Sequence, residues 1–435
     1  MPKIESITAL EVLDSRGNPT VQATVTAAGG IMGQATVPSG ISTGRHEAIE
    51  LRDNDEGRYG GKGVLEAVKN VKGEIQAALF GMDTANQSKI DRLLLELDGT
   101  PNKSRLGANA LLAVSLACAR AEAASQSLPL YLYLQQLFAH RTPTLPVPQM
   151  NLINGGRHAS NKLSIQEYQV LPVGSPSFAE SLRMGVEIYH ALRELLLAEG
   201  FQVEIADEGG FAPKMETSEM VFTFLVRAIE KAGYVPGVDA FLGIDAAATE
   251  FYDAETEQYQ LDGRAMSAAD LAYQYKTWRE RYPLISFEDP FAEDEWDQWQ
   301  QFVKDNGEVA QVVGDDLYAT NSTRIREGIV RGAANAVLIK PNQVGTLTET
   351  LQACLLAQEA GQNVVVSHRS GETEDAFIAD LAVAVAAGQI KTGAPSSDRA
   401  AKYNRLLFIE AAVGGKLSNS LQPYLEHYRP VYSRV

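Results

Sequence analysis

The sequence predicts an α/β protein in which a parallel β/α barrel carries a smaller N-terminal α+β domain. Three observations predict it. Charged residues end a series of apolar strands at near-constant intervals; the Pro-rich stretch "AHRTPTLPVPQ" separates that series from what precedes it; and the preceding part reads as a β-meander followed by helices. The intervals are 27 residues from Glu288 to Asp315, 25 on to Lys340, 28 to His368 and 23 to Lys391, one strand and one helix per step. At 435 residues, 45% of them hydrophobic, the chain is long enough to bury such a core.

Taken in order, residues 4–37 contain three β-rich runs separated by "DSRGNP" and "AAGG", the breaker chemistry of a meander. "GVLEAVKNVKGEIQAALFGM" and "GANALLAVSLACARAEAASQS" then repeat apolar residues at helical spacing. These place an α+β domain at 1–137 and the barrel at 138–435. Beyond the boundary Ser175 and Pro176 are expected as N-cap and first residue of a helix. Phe178, Leu182, Tyr189, Leu192 and Leu196 form its apolar face, and Gly200 ends it. The later strands are "LISFEDP", "AQVVGDD", "AVLIKPN", "NVVVSHRS" and "GQIKTG", each followed by a helix-like run except the last, which meets "APSSD".

Composition narrows the function. Against 55 acidic residues stand 38 basic ones, a net charge of −17, so a phosphate backbone is a poor partner and no direct nucleic-acid role is expected. Cys118 and Cys354 sit in helix-like apolar stretches and read as small core residues. The chain has no apolar run of about 18 residues, and "MPKIESITALEVLD" has no basic segment leading into an apolar one. A cytoplasmic location with no membrane partner is the expectation.

The strand ends carry the chemistry. Asp245 in "FLGIDAA", Glu288, Asp315, Lys340, His368 and Lys391 each finish an apolar strand. In a β/α barrel those ends form the floor of the active site, so all six converge on one mouth. Three carboxylates from separate strands suit a hard divalent cation such as Mg²⁺. The competing reading, carboxylates that cap loops or pair with lysines, weakens when three fall in register. Lys340 and Lys391 beside such a cation are expected to feel repulsion and desolvation, which lower an ammonium pKa toward that of a general base. "VEIADEGGFAP" places Asp207 and Glu208 between a strand and a glycine pair, and "LSIQEY" places Gln166 and Glu167 at another strand end. Two carboxyls held close can share a proton, which makes one a general acid. Arg369 and Ser370 in "SHRSG" form an anion clamp, and His158 in "NGGRHASN" lies in a loop, where a lone histidine carries little weight. Together these groups describe proton abstraction beside a carboxylate followed by loss of a poor leaving group, the chemistry of a lyase.

The motifs "DSRGNPTV", "VPSGISTGRHEAIELRD", "NLINGGRHASN", "ADEGGFAP", "GIDAAATEFY", "SFEDPFAEDEW", "VVGDDLYATN", "KPNQVGTLTET", "VSHRSGETEDAFIADLAV" and "QIKTGAP" occur in this order over nearly the whole chain, which resembles enolase in a divergent, bacterial-type form. The resemblance implies an eight-stranded barrel and a Mg²⁺-dependent hydro-lyase of glycolysis and gluconeogenesis. It implies two Mg²⁺ per site, the first held by Asp245, Glu288 and Asp315 and the second by Ser42 in the loop "SGISTG". Lys340 is then the base at C2; Glu208, assisted by Glu167, is the acid, with His158 in the same pocket. Lys391, Gln166, His368, Arg369, Ser370 and Ser42 bind substrate, 2-phosphoglycerate or phosphoenolpyruvate. The chain departs from the resemblance at Ala206, at Tyr168 and in "GAPSSDRAAKYN", where the family usually has one arginine more. Gln22 and Phe408 stand where the family commonly pairs Glu with Arg across a dimer interface, so a homo-oligomer, dimer or octamer, with an altered interface is expected. The tail after Leu417 is also longer and more aromatic than the resemblance leads one to expect.

Overall fold

The structure, a computed structural model, describes residues 2–40, 44–138 and 142–426. Ser42 lies outside the described residues, so its assignment as metal and substrate ligand does too.

The N-terminal meander forms as β1 (Ile4–Leu13), β2 (Pro19–Ala27) and β3 (Ile31–Thr36), antiparallel in that order. Helices follow: α1 (Leu65–Asn70) and α2 (Gln76–Leu79) joined by the π-helical turn Val71–Ile75, then α3 (Gln87–Asp98), α4 (Ala108–Ser125) and α5 (Leu130–Leu137). Alanine-rich α4 is buried along nearly its whole length because it packs against the meander on one side and the barrel on the other. Gly33 on β3 makes that approach possible: a Cβ there would stand 2.1 Å from the Ala117 carbonyl oxygen. Both cysteines are free and buried, as their apolar settings predict.

The barrel closes from eight strands: β4 (Val147–Asn154), β5 (Glu167–Leu171), β6 (Phe241–Asp245), β10 (Leu284–Glu288), β11 (Gln311–Gly314), β12 (Ala336–Ile339), β13 (Asn363–Ser367) and β14 (Gly388–Lys391). Between β6 and β10 lies a small antiparallel sheet of β7 (Tyr252–Asp253), β8 (Gln258–Leu261) and β9 (Arg264–Met266). Outside pack α6 (Phe178–Ala198), α7 (Ser218–Lys231), α8 (Ala268–Arg281), α9 (Trp296–Asn306), α10 (Ser322–Arg331), α11 (Pro341–Val344), α12 (Leu347–Glu359), α13 (Phe377–Ala384) and α14 (Ala400–Val413).

Four local expectations change. Strand β5 runs antiparallel to both neighbours, because residues 155–166 hold only the 3₁₀ turn Gly156–His158 and the chain doubles back instead of crossing over through a helix. The N-cap of α6 is Ser177, whose hydroxyl accepts the Glu180 N–H at 3.2 Å, rather than Ser175 two residues earlier. "VEIADEGG" is loop and no strand; its only pairing is the single bridge Ile205–Phe211. The last strand is followed by a helix after all, since a short 3₁₀ turn at Ser397–Arg399 leads into α14.

Below the mouth the barrel interior is partly polar. Gln389 accepts from Gln149 (2.6 Å) and Gln311 (3.0 Å), and Gln311 also donates to the Ser286 hydroxyl (3.1 Å), so these buried amides satisfy one another. At the opposite end from the mouth, Val147, Leu171, Phe241 and Ile285 form an apolar cluster that Leu421 and Tyr424 cover. Residues 418–426, the described part of the unexpected tail, therefore close the bottom of the barrel; α15 (Gln422–Leu425) holds Tyr424 there.

Candidate active site

The barrel order sorts the strand-end charges by sign. Adjacent strands β6, β10 and β11 end at Asp245, Glu288 and, just past β11, Asp315; adjacent strands β12, β13 and β14 lead to Lys340, His368 with Arg369, and Lys391. An acidic arc thus faces a basic arc. The remaining strands, β4 and β5, supply Asn151 and Glu167, and β5 lies across the barrel from β12. Because β5 runs antiparallel, its first residue rather than its last is at the mouth, which is why Gln166 and Glu167 can join strand-terminal groups: Glu167 pairs in register with Asp245.

The arcs interlock. The Lys391 ammonium donates to Glu167 Oε1 (3.1 Å), Asp245 Oδ2 (3.2 Å) and Glu288 Oε1 (2.6 Å), all nearly inaccessible to solvent. Lys340 pairs closely with Asp315 Oδ2, while Gln343 donates to Asp315 Oδ1 at 2.9 Å. Asp315 is thus held by Lys340 and Gln343, whereas Asp245 and Glu288 meet on one ammonium. Glu288 Oε2 is buried and has no hydrogen-bond partner, and Gln166 donates to Asp245 Oδ2 at 3.3 Å. Three carboxyl side chains, one oxygen of them unsatisfied, are the donor set that fits a hard divalent cation.

The protein groups around the two lysines act in the opposite direction to the repulsion expected beside a cation. Burial alone would lower both, but Asp315 holds Lys340 above its ordinary value, and Asp245, Glu167 and Glu288 hold Lys391 well above it. The expected repulsion is outweighed because carboxylates, not cations, are their nearest neighbours. Burial and the Asp245 charge keep Glu288 well above the usual carboxylate range. For Asp315 the Lys340 and Lys391 charges overcome burial and lower it.

Opposite Lys340, a second group forms. Glu208 accepts from Asn151 Nδ2 at 2.8 Å, and its Oε1 lies 3.5 Å from His158 Nδ1 and 3.7 Å from His368 Nε2. His158, Glu167 and Glu208 are buried together, with one ligand-type atom of each within 4.8 Å of the others. Burial and the Glu208 charge push the Glu167 carboxyl up to about 8. Burial acts upward on Glu208 too, but the charge and hydrogen bond of His158 bring it well below the usual range. Burial also drives His368 well below the ordinary imidazole value, whereas Glu208 raises His158 despite burial. The close carboxyl pair is thus Glu167 with Glu208; Asp207, expected beside Glu208, is exposed.

Backbone contacts hold these loops. Arg399, fully buried, donates to the Asp207 carbonyl (2.9 Å) and the Ser370 carbonyl (2.8 Å), and the Ala394 N–H donates to the Glu208 carbonyl (3.0 Å). Arg369 is gripped from the N-terminal domain: its Nη1 and Nη2 donate to Glu47 (2.7 and 3.3 Å), and Nη1 also reaches Asn342 (3.1 Å). Gly40 is pressed against that guanidinium, since a Cβ there would lie 2.0 Å from Nη2. Asn151, Gln343, Glu47 and Arg399 are not strand-end charges: Asn151 is a neutral amide inside a buried strand, Gln343 a neutral amide in α11, Glu47 lies in a loop and Arg399 in a 3₁₀ turn.

A family model described as "Enolase, C-terminal TIM barrel domain" matches residues 142–420, and one described as "Enolase, N-terminal domain" matches residues 4–134. The two matches coincide with the barrel and with the meander-helix unit that supplies Glu47 to the mouth, and the chain belongs to the enolase family.

Proposed function

We propose that the chain is a phosphopyruvate hydratase: it dehydrates 2-phospho-D-glycerate to phosphoenolpyruvate, reversibly and with Mg²⁺. The observation that carries this reading is the placement of Lys340 across the barrel from Glu167 and its neighbour Glu208, with the acidic arc between them. Removal of a proton from C2 and delivery of one to the C3 hydroxyl on the other face need opposed groups of this kind.

In this reading Lys340 Nζ first takes the C2 proton, the C2–H electron pair passing toward the carboxylate; Glu208 then gives a proton to the C3 oxygen, the C3–O bond breaks, C2=C3 forms and water leaves. Asp245, Glu288 and Asp315 hold the first Mg²⁺, and Ser42 belongs to the second. Bound there, Mg²⁺ supplies charge that offsets the negative charge developing on the substrate carboxylate and relieves Lys340 of the Asp315 attraction that now raises it. Glu167 and Glu208 act as one unit that carries one proton, which rests on Glu167 until Glu208 needs it. Lys391 and Gln166 orient the carboxylate end, Arg369 and Ser370 take the phosphate, and neutral His368 shapes the acid's pocket together with His158. A buried guanidinium and its loop backbone favour a phosphorylated substrate over an acid sugar.

The same reading places the chain in glycolysis and gluconeogenesis in the cytoplasm. Among the described residues no helix is long and apolar enough to cross a membrane. It also assigns a homo-oligomer with apolar contact where the family's ion pair falls: Gln22 is satisfied by Thr36 (2.8 Å) and Gln34 (3.0 Å) of its own sheet, and Phe408 is 72% exposed. The test is the enol-phosphate absorbance on mixing protein with 2-phosphoglycerate. Signal in Mg²⁺ and none after excess chelator is expected; no signal in Mg²⁺ would reject the assignment.

A further inference from the structure

Asp289 follows Glu288 at the end of β10, is 2% exposed, and has no part in the chemistry described above. Its side chain reaches the neighbouring strand. Oδ1 accepts the Asp315 N–H at 2.9 Å and Oδ2 accepts the Asp316 N–H at 2.8 Å, while its own N–H donates to the Val313 carbonyl at 3.1 Å. The last register pair between β10 and β11 is Glu288 with Val313, so the amides of Asp315 and Asp316 emerge where the ladder has stopped. One carboxyl group takes both, one oxygen to each amide.

The local backbone is built for this reach. Asp289 has φ +42°, in the left-handed region that Asp tolerates better than most residues, and Pro290 after it disfavours the ordinary helical conformation. Asparagine has nearly the same shape but accepts through one atom only, and its NH₂ would face the second amide. The carboxylate oxygens of Asp289, Asp315 and Asp316 lie within 4.8 Å of one another, yet both Asp289 oxygens are committed to backbone N–H groups.

We propose that Asp289 is a positioning residue for Asp315: it fixes the backbone from which Asp315 presents its carboxylate, and so sets the affinity of the metal centre. The inference rests on the reading that Asp315 holds Mg²⁺. The test compares full-length wild type, Asp289→Asn and Asp315→Asn, using Mn²⁺ titration by electron paramagnetic resonance and amide hydrogen exchange of the metal-free protein. In Asp289→Asn, exchange at the Asp315 and Asp316 amides should rise at least about tenfold and the Mn²⁺ Kd should weaken about 10- to 100-fold, the usual effect of losing an outer partner of a ligand. Near-UV circular dichroism should be unchanged. An Mn²⁺ Kd within about twofold of wild type would overturn the proposal if Asp315→Asn itself loses Mn²⁺. If Asp315→Asn binds Mn²⁺ normally, the metal reading fails instead. Should Asp289→Asn not fold, wild type alone decides: Asp315 and Asp316 amides must exchange as slowly as those of β11, and fast exchange there would overturn the proposal.

Discussion

Glu167 and Glu208 are both enclosed carboxyls, yet their surroundings drive them apart, one up to about 8 and the other well below its usual range. That separation has a measurable consequence. Unfolded, Glu167 loses its proton near 4.5; folded, it keeps it to about 8. Between these values the folded chain binds more protons, so the stability this group contributes falls as pH rises through that window. In metal-free protein the Tm of wild type minus that of Glu167→Gln should decrease from about pH 5 to about pH 8. A difference that stays flat would show Glu167 to be ionised in the fold. At this scale charges ending apolar strands were legible, because a lysine or carboxylate there has no packing rationale. The partners were not: Asn151 sits in the all-buried strand "VPQMNLIN" and only its bond to Glu208 reveals it.

At the scale of elements, the repeat of strand and helix was legible from intervals alone, but direction was not. Interval length cannot distinguish a crossover from a reversal when the loop between two strands contains no helix, as in residues 155–166. Helix starts were similarly ambiguous. Both Ser175 and Ser177 precede the apolar face of α6, and only Ser177 reaches the Glu180 N–H; the Phe178 and Ala179 amides are taken by Glu410 at 2.7 and 2.9 Å. Ser177→Ala should cost about 1 kcal/mol in urea unfolding. Ser175→Ala should cost nothing, since its hydroxyl is buried without a partner. Tyr168, a departure from the family pattern, also finds a local use: its hydroxyl donates to Ser218 Oγ at 2.9 Å, which donates to Asp262 at 2.7 Å, tying β5 to α7 and the β8–β9 turn. Tyr168→Phe should lower stability by about 1 kcal/mol and leave the chemistry intact.

At the scale of the whole molecule the N-terminal unit is part of the site rather than an appendage. Arg120 on α4 pairs with Asp375 of the barrel (2.5 and 2.6 Å), and Asp375 also receives the Thr36 N–H (2.9 Å) and the Phe377 N–H (2.8 Å). Removing Arg120 leaves a largely buried carboxylate without its cation, so Arg120→Ala should cost about 3 kcal/mol in urea unfolding. At the other end, Tyr424 covers the bottom of the barrel and is 8% exposed; Tyr424→Ala should cost about 3 kcal/mol. These long-range closures had no sequence signal, because nothing in "SNSLQPYLE" names the cluster it meets.

The central claim, that Lys340 acts from one wall and Glu208 from the other, divides the reaction into two proton movements that solvent exchange can separate. The measurement is deuterium uptake at C2 of 2-phosphoglycerate in D₂O with Mg²⁺, followed by nuclear magnetic resonance alongside phosphoenolpyruvate formation. Lys340→Ala should lose both, by about 100-fold or more, whereas Glu208→Gln should lose product formation and keep C2 exchange. Exchange at the wild-type rate in Lys340→Ala, or equal loss of exchange and product formation in Glu208→Gln, would contradict the assignment.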